Sequence, residues 1–245
     1  MRWYKADLHI HSVLSPCGGL DMSPRRVMAS ALQAGLHILA ITDHNSAANL
    51  RVYEGEARSA GLYFIPGIEV QSREEIHTVC LFPDTDSAEA FSAELYESLA
   101  PLENNAEYFG DQVVIDRNEN IIRFENRALI NSSSWEFETV LEKVDAVGGF
   151  SWPAHVDRQT YSLLGQLGFV PENPLILALG ITRSCRTAEF LAAHPDLGKY
   201  ALIRSSDAHQ PEDVGSGFTE FYLKEPELAE IRFACLQSQG RKYKI

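Results

Sequence analysis

The sequence predicts an α/β fold closed, or nearly closed, into a barrel, and three observations carry that expectation. Apolar runs of strand length alternate with longer helix-like segments along most of the 245 residues, the pattern of βα units around a parallel sheet. About seven such strands can be counted, which favours a barrel over a short open sheet. The length suits one large core, and residues 1–245 read as a single domain.

Each element has a local reason. Residues 4–10 form a first apolar strand. Ser23-Pro24 then supplies a helix N-cap with proline at the first helical position, and Gly35 a C-terminal stop. Residues 38–42 form a second strand, followed by a helix over about 46–60 that Gly61 ends. Short strands at 63–66 and 78–82 precede a helix over about 87–99. Later strands fall at 149–152, 175–180 and 200–205, with helical stretches between them, and a strand at 218–223 and a helix over about 225–239 finish the chain. Residues 101–131 break this rhythm. Their apolar runs 112–115 and 121–124 flank the polar stretch 116–120, which reads as an inserted β-hairpin projecting from the barrel.

Composition narrows the function classes. Hydrophobic content of 45% and charged content of 22% are ordinary for a globular protein. A formal charge of −13 argues against long nucleic acid and anionic membrane as partners. It leaves room for a small phosphorylated substrate, because bound metals reverse the local field. No stretch approaches the roughly 20 apolar residues of a membrane span. Cys17, Cys80, Cys185 and Cys235 are scattered without a CxxC pair, as expected of reduced thiols in a cytoplasmic protein.

Candidate ligands gather where strands give way to loops. His9 and His11 end the first strand and, two residues apart, share one face. Thr42-Asp43-His44 ends the second strand, and Gly67-Ile68-Glu69 follows the third. His77 precedes the fourth, and so fits least neatly; His155 ends the fifth and Asp207-Ala208-His209 follows the seventh. Carboxyl-terminal strand ends converge in an α/β barrel. Each residue alone has an ordinary structural reading, as a helix cap or a hydrogen-bonded core histidine. Together they take six of the eight histidines, which makes coincidence a poor account. His37 and His194 read as non-ligands.

The motifs Asp7-Leu8-His9-Ile10-His11-Ser12, Thr42-Asp43-His44, Gly67-Ile68-Glu69, Pro153-Ala154-His155 and Ser206-Asp207-Ala208-His209 resemble, in order and spacing, those of the PHP (polymerase and histidinol phosphatase) domain. The resemblance implies a distorted (β/α)7 TIM-like barrel holding two or three divalent transition-metal ions, zinc, manganese or iron. It implies a first ion held by His9, His11, Glu69 and Asp207, and a second sharing Glu69 with His77 and His155. A third would lie at His44 and His209. The family commonly places a further Asp or His ligand where this chain has Cys17. A thiolate there would bias that position toward zinc or iron; the alternative is that Cys17 is a spectator. Asp21 is a weaker substitute.

The family's chemistry implies hydrolysis of a phosphoester, on a small phosphorylated metabolite or nucleotide, by a hydroxide bridging two metals and without a side-chain nucleophile. Asp7 and Asp43 are candidates to orient imidazoles from behind, or else to bond backbone. Arg158 is a candidate phosphate ligand, its alternative being a surface pair with Asp157; Arg183, Arg186 and Arg204 have weaker cases. Two other readings stand beside the phosphoesterase: a nuclease-like phosphodiesterase on short oligonucleotides, and a non-catalytic, metal-stabilised binding module.

Overall fold

The computed structural model describes residues 1–245. The first elements are β1 (Arg2–Ile10), α1 (Pro24–Gln33), β2 (Ile38–Ile41), α2 (Leu50–Ala60) and β3 (Tyr63–Gln71). Next come β4 (His77–Leu81), α3 (Thr85–Ser98), α4 (Ala106–Phe109), β5 (Val113–Ile115), β6 (Ile121–Phe124), α5 (Phe137–Ala146) and β7 (Phe150–Pro153). The chain ends with α6 (Leu163–Leu167), β8 (Ala178–Ile181), α7 (Thr187–Ala193), β9 (Ala201–Arg204), β10 (Thr219–Leu223), α8 (Leu228–Cys235) and β11 (Lys242–Lys244). The helix expected from residue 46 begins only at Leu50, and β11 had no clear sequence signal.

The sheet is mixed, where a parallel one was expected. Seven strands lie in the order β11-β10-β1-β2-β3-β4-β7 and curl into a half-barrel, while β8 and β9 pair separately. Only β1–β2, β2–β3 and β8–β9 are parallel; β1–β10, β10–β11, β3–β4 and β4–β7 are antiparallel. Single bonds tie the β8–β9 pair to the open side. Val156 N–H donates to the Gly180 carbonyl at 2.8 Å, Asp207 N–H to that of His9 at 2.9 Å, and His11 N–H to that of Ala208 at 3.0 Å.

The reversal between β3 and β4 has a plain cause. Parallel strands need a crossover of a dozen or more residues, and residues 72–76 supply a tight connection instead, closed by Ser72 N–H to the Ile76 carbonyl at 3.0 Å. Within β3 the partner changes midway. Residues 63–66 pair parallel with β2, and residues 67–71 pair antiparallel with β4. Gly67 sits at the change, where a Cβ would lie 2.7 Å from Thr42 Cγ2 and 2.8 Å from Leu81 Cδ2. Glu69, expected in a loop, is therefore a strand residue opposite Val79.

Two apolar layers sandwich the sheet. Tyr4, Ala6 and Leu8 pack in the same core as Ile38, Ile65, Trp152 and Phe221. Ile10 belongs to the other core, with Leu39, Ile41, Val27 of α1 and Tyr53 of α2. A register shift against β2 between Asp7 and Ile10 accompanies that change of face. A third cluster joins Phe137 and Leu141 of α5 to Leu179 and Leu202.

The insertion does form the expected hairpin, β5 pairing antiparallel with β6, but it does not simply project. Val113 and Ile115 are buried in the α1–α2 core, whereas Ile121, Ile122 and Phe124 of β6 are exposed. Two amides stitch it down and a third binds it to itself. Asn45 Nδ2 donates to the carbonyls of Leu129 and Asn131 at 2.8 and 2.9 Å while its Oδ1 accepts from Gln71 N–H at 3.0 Å. Asn49 Nδ2 donates to the Val113 carbonyl, and its Oδ1 accepts from Ile115 N–H. Gln112 bridges the carbonyls of Glu125 and Arg127 and the N–H of Leu129, each at 2.8 Å.

Because a methyl at position 67 meets Thr42 and Leu81 well inside contact distance, Gly67→Ala should destabilise the fold by about 1–3 kcal/mol. Thermal unfolding followed by circular dichroism measures this, and an unchanged midpoint would contradict the packing described.

Candidate metal centre

Strand ends deliver the centre. β1 supplies His9 and the residue after its end His11, the residues after β2 supply His44, β3 supplies Glu69, the residues after β7 supply His155, and the loop after β9 supplies Asp207 and His209. β4 runs the opposite way, so its first residue, His77, reaches the same end as the last residues of its neighbours. That resolves its awkward place in the sequence.

Five of the imidazoles meet around one carboxylate. Glu69 Oε1 lies 3.1 Å from His9 Nε2, 3.1 Å from His77 Nδ1 and 3.4 Å from His155 Nε2. Its Oε2 lies 3.4 Å from His11 Nε2 and 3.2 Å from His44 Nδ1. Asp207 Oδ1 adds 3.4 Å to His9 Nε2 and 3.2 Å to His11 Nε2. Despite this crowding, His9 Nε2, His44 Nδ1, Glu69 Oε1, His155 Nδ1 and Asp207 Oδ2 are buried without a hydrogen-bond partner. Orphaned buried polar atoms are costly. Four of them, all but His155 Nδ1, belong to the group around Glu69 and Asp207, a nitrogen-and-oxygen donor set suited to divalent transition metals, which fits a site for ions.

Partners behind the rings settle which nitrogen faces inward. His11 Nδ1 donates to Ser15 Oγ at 2.8 Å, and that hydroxyl donates to Asp43 Oδ1 at 2.7 Å. Asp43 also accepts from Ser12 N–H at 2.7 Å and Ser12 Oγ at 2.5 Å. His77 Nε2 donates to Gln71 Oε1 at 3.0 Å, and His209 Nδ1 donates to the Asp207 carbonyl at 2.7 Å. Each such bond leaves the opposite ring nitrogen with a free lone pair, the arrangement typical of metal-ligating histidines. Asp43 thus acts on His11 through Ser15, not on an adjacent imidazole. Asp7 touches no imidazole at all. It accepts from Ser206 N–H at 3.0 Å and Gly215 N–H at 2.8 Å, fixing the loop that carries Asp207. Ser15 and Gln71 had no motif to announce them.

Charge divides the histidines into two groups. Burial lowers His9 and His11, but the neighbouring Glu69 and Asp207 carboxylates outweigh it and leave both raised, His11 strongly. Burial keeps His44 well below the ordinary value and His155 lowered, and brings His209 down to about 4, helped by charge on His11. Against the cost of burial, His9, His77 and His44 hold Glu69 well below the usual carboxylate range. The carboxylates thus favour positive charge on His9 and His11, and burial disfavours it on His44, His155 and His209.

Cys17 joins the edge of the cluster. Ligand atoms of His11, Cys17, His44 and His209 all lie within 4.8 Å of one another, as do those of His9, His11 and Glu69 and of His44, Glu69 and His77. Burial pushes the Cys17 thiol up to about 11. Asp21 instead faces Arg26 on the surface at 3.6 Å. Arg158 does not pair with Asp157, which is taken by Thr182; its Nη2 lies 2.8 Å from Asp207 Oδ2, outside hydrogen-bond alignment. Arg183 pairs with Asp213, Arg186 with Glu189, and Arg204 with the Cys185 carbonyl. His37 accepts from Lys5 N–H, and His194 caps the end of α7.

A curled α/β sheet with a buried histidine–carboxylate cluster at one end marks an α/β protein with a candidate metal centre. The chain belongs to the PHP family: residues 7–162 match the PHP domain and residues 183–235 the PHP-associated region. It is 31% identical over 120 residues to the uncharacterized protein YqxK of Bacillus subtilis (strain 168), a match covering 45% of this chain and 30% of that protein. Its fold is similar to the lesion-specific endonuclease PfuEndoQ from Pyrococcus furiosus, with a TM-score of 0.69, 22% identity, and 98% of this chain covered against 57% of that one. It is similar also to a two-domain Bacteroides vulgatus protein containing a predicted PHP-like metal-dependent phosphoesterase, with a TM-score of 0.57, 17% identity, and 99% and 65% coverage. The chain thus spans less than two thirds of each of these proteins.

Ligating histidines must be neutral, so the raised His9 and His11 predict proton release when zinc binds near neutral pH and tighter binding as pH rises. Calorimetric titration in buffers of different ionisation enthalpy measures both. In the same assay Ser15→Ala, which strips His11 of its orienting acceptor, should weaken zinc binding about 10–100-fold. Unaltered affinity in that variant would rule out the Asp43–Ser15–His11 relay.

Proposed function

We propose that this chain is a metal-dependent phosphoesterase acting on a small phosphorylated metabolite or nucleotide. The observation that carries the reading is the single Glu69 carboxylate within 3.1–3.4 Å of five imidazoles. His9, His11, Glu69 and Asp207 would hold a first ion, Glu69 with His77 and His155 a second, and His44, His209 and Cys17 a third. The donors suit zinc, iron or manganese, and the Cys17 thiolate favours zinc or iron at its position. Ions bound there would neutralise phosphoryl charge and make hydroxide available near neutral pH.

The chain's own residues supply binding and orientation. Arg158, poised at Asp207, presents a fork suited to phosphate oxygens. A polar cavity of about 470 Å³ opens beside Asp207 and His209, lined also by Arg158, Thr182, Arg183 and Ser184. Its size falls within the range of small-ligand sites, and its hydroxyl and guanidinium groups suit a sugar or a phosphate. Around this centre the half-barrel is read as the family's distorted (β/α)7 barrel.

A second reading, hydrolysis of short oligonucleotides, draws support from the fold shared with a lesion-specific endonuclease. The charge of −13 weighs against a long duplex, whose binding depends on phosphate neutralisation by basic side chains.

Protein purified without added metal should retain about two or three transition-metal ions per chain. It should then hydrolyse at least one substrate among histidinol phosphate, nucleoside monophosphates, bis-phosphorylated nucleotides and short oligonucleotides. His9→Ala and Asp207→Ala should each lower kcat/KM by about a hundredfold or more. No metal retained after reconstitution, or full activity in either variant, would overturn the assignment. Cys17→Ala should remove metal only from the third position, leaving occupancy of the other two unchanged.

A further inference from the structure

We propose that Tyr161 is a platform on which a planar ring of the substrate, a nucleobase, stacks while its phosphate lies at the centre. This rests on the phosphoesterase reading and names the substrate class within it. The Tyr161 ring lies parallel to that of His77, centroids 4.9 Å apart at 22°. The residue is nevertheless 45% exposed. An aromatic ring with one face on a candidate ligand histidine, in a residue nearly half open to solvent, is a ready stacking surface, because every base has a π-face.

The backbone places that ring at a cost. Tyr161 has φ of +55°, in the left-handed region where a bulky residue is an outlier. Such conformations persist where the surroundings over-determine them, and they gather at ligand sites. Here the surroundings are explicit. His77 N–H donates to the Tyr161 carbonyl at 3.0 Å, Ser162 Oγ donates to the Arg158 carbonyl at 2.6 Å, and Gly165 N–H donates to Ser162 Oγ at 2.9 Å. Gly165 lies so near the Gln159 carbonyl that no Cβ fits. The loop from His155 to Ser162 is thereby fixed in advance, and it brings a guanidinium to Asp207 and an aromatic ring to His77. A phosphate joined to a planar base matches that pairing of groups better than a phosphate on a sugar alone.

The test compares 5′-AMP with ribose 5-phosphate, which differ by the base, and adds a short single-stranded oligoadenylate to separate a free nucleotide from a base within a strand. Tyr161→Leu should lower kcat/KM for the adenine substrates about tenfold, through KM, and leave ribose 5-phosphate and metal content unchanged. Tyr161→Phe should behave as wild type. Equal losses on AMP and ribose 5-phosphate, or loss of metal, would show that Tyr161 only props His77 and would overturn the proposal. If wild type cleaves none of the three, the phosphoesterase reading is decided on the other substrates named above. Calorimetric binding then decides on Tyr161: a wild-type preference for AMP over ribose 5-phosphate that Tyr161→Leu abolishes sustains it, and equal binding ends it.

Discussion

A carboxylate buried without lysine or arginine at its side is the constraint on which this molecule turns. Glu69 is 1% exposed and sits in the middle of the sheet, where an unpaired negative charge costs several kcal/mol. Imidazoles drawn from β1, β4 and the residues following β2 and β7 answer it. Glu69 and Asp207 favour positive charge on His9 and His11, while burial disfavours it on His44, His155 and His209. One charge thus draws residues from four parts of the sheet to a single point.

Much of this was legible in the chain. The strand-end histidines declare themselves by position, and their number outweighs the ordinary explanation of each. The direction of β4 is also legible, because residues 72–76 are too few for a parallel crossover; strand-end position alone does not carry it, and on that basis His77 stands on the wrong side of its strand and Glu69 falls in a loop. Gln71 left a faint sign, lying two residues beyond Glu69 and so on its face. For Asp7 and Asp43 the sequence leaves two readings, an imidazole or the backbone, because nearness in sequence is not nearness in space; both accept from backbone N–H groups. The register shift between Asp7 and Ile10 breaks the expected alternation, and Asp43 reaches an imidazole only through Ser15. Ser15 and Tyr161 owe their roles to distant partners, which no local pattern records.

Backbone strain follows the same map. His155 and Asp207 have φ of +30° and +54°, and Asn45 beside His44 has +49°. Each left-handed non-glycine residue costs about 1–3 kcal/mol, so the fold gives up stability where it aims side chains. The compensation lies in buried bonds such as Asp207 N–H to the His9 carbonyl and Gln71 N–H to Asn45 Oδ1. Aim and rigidity come from the same contacts.

The stitched insertion has a consequence for how such a chain can diverge. Asn45 holds the insertion's backbone with one end of its amide and the backbone of Gln71 with the other. Residues 101–131 are therefore not detachable cargo on a chassis. Excising them would leave the amides of Asn45 and Asn49 facing an apolar interior, and would slacken the strand that carries Glu69. A lineage that shortens this segment must rewrite positions 45 and 49 as well, so that outer ornament and inner chemistry are inherited as one unit.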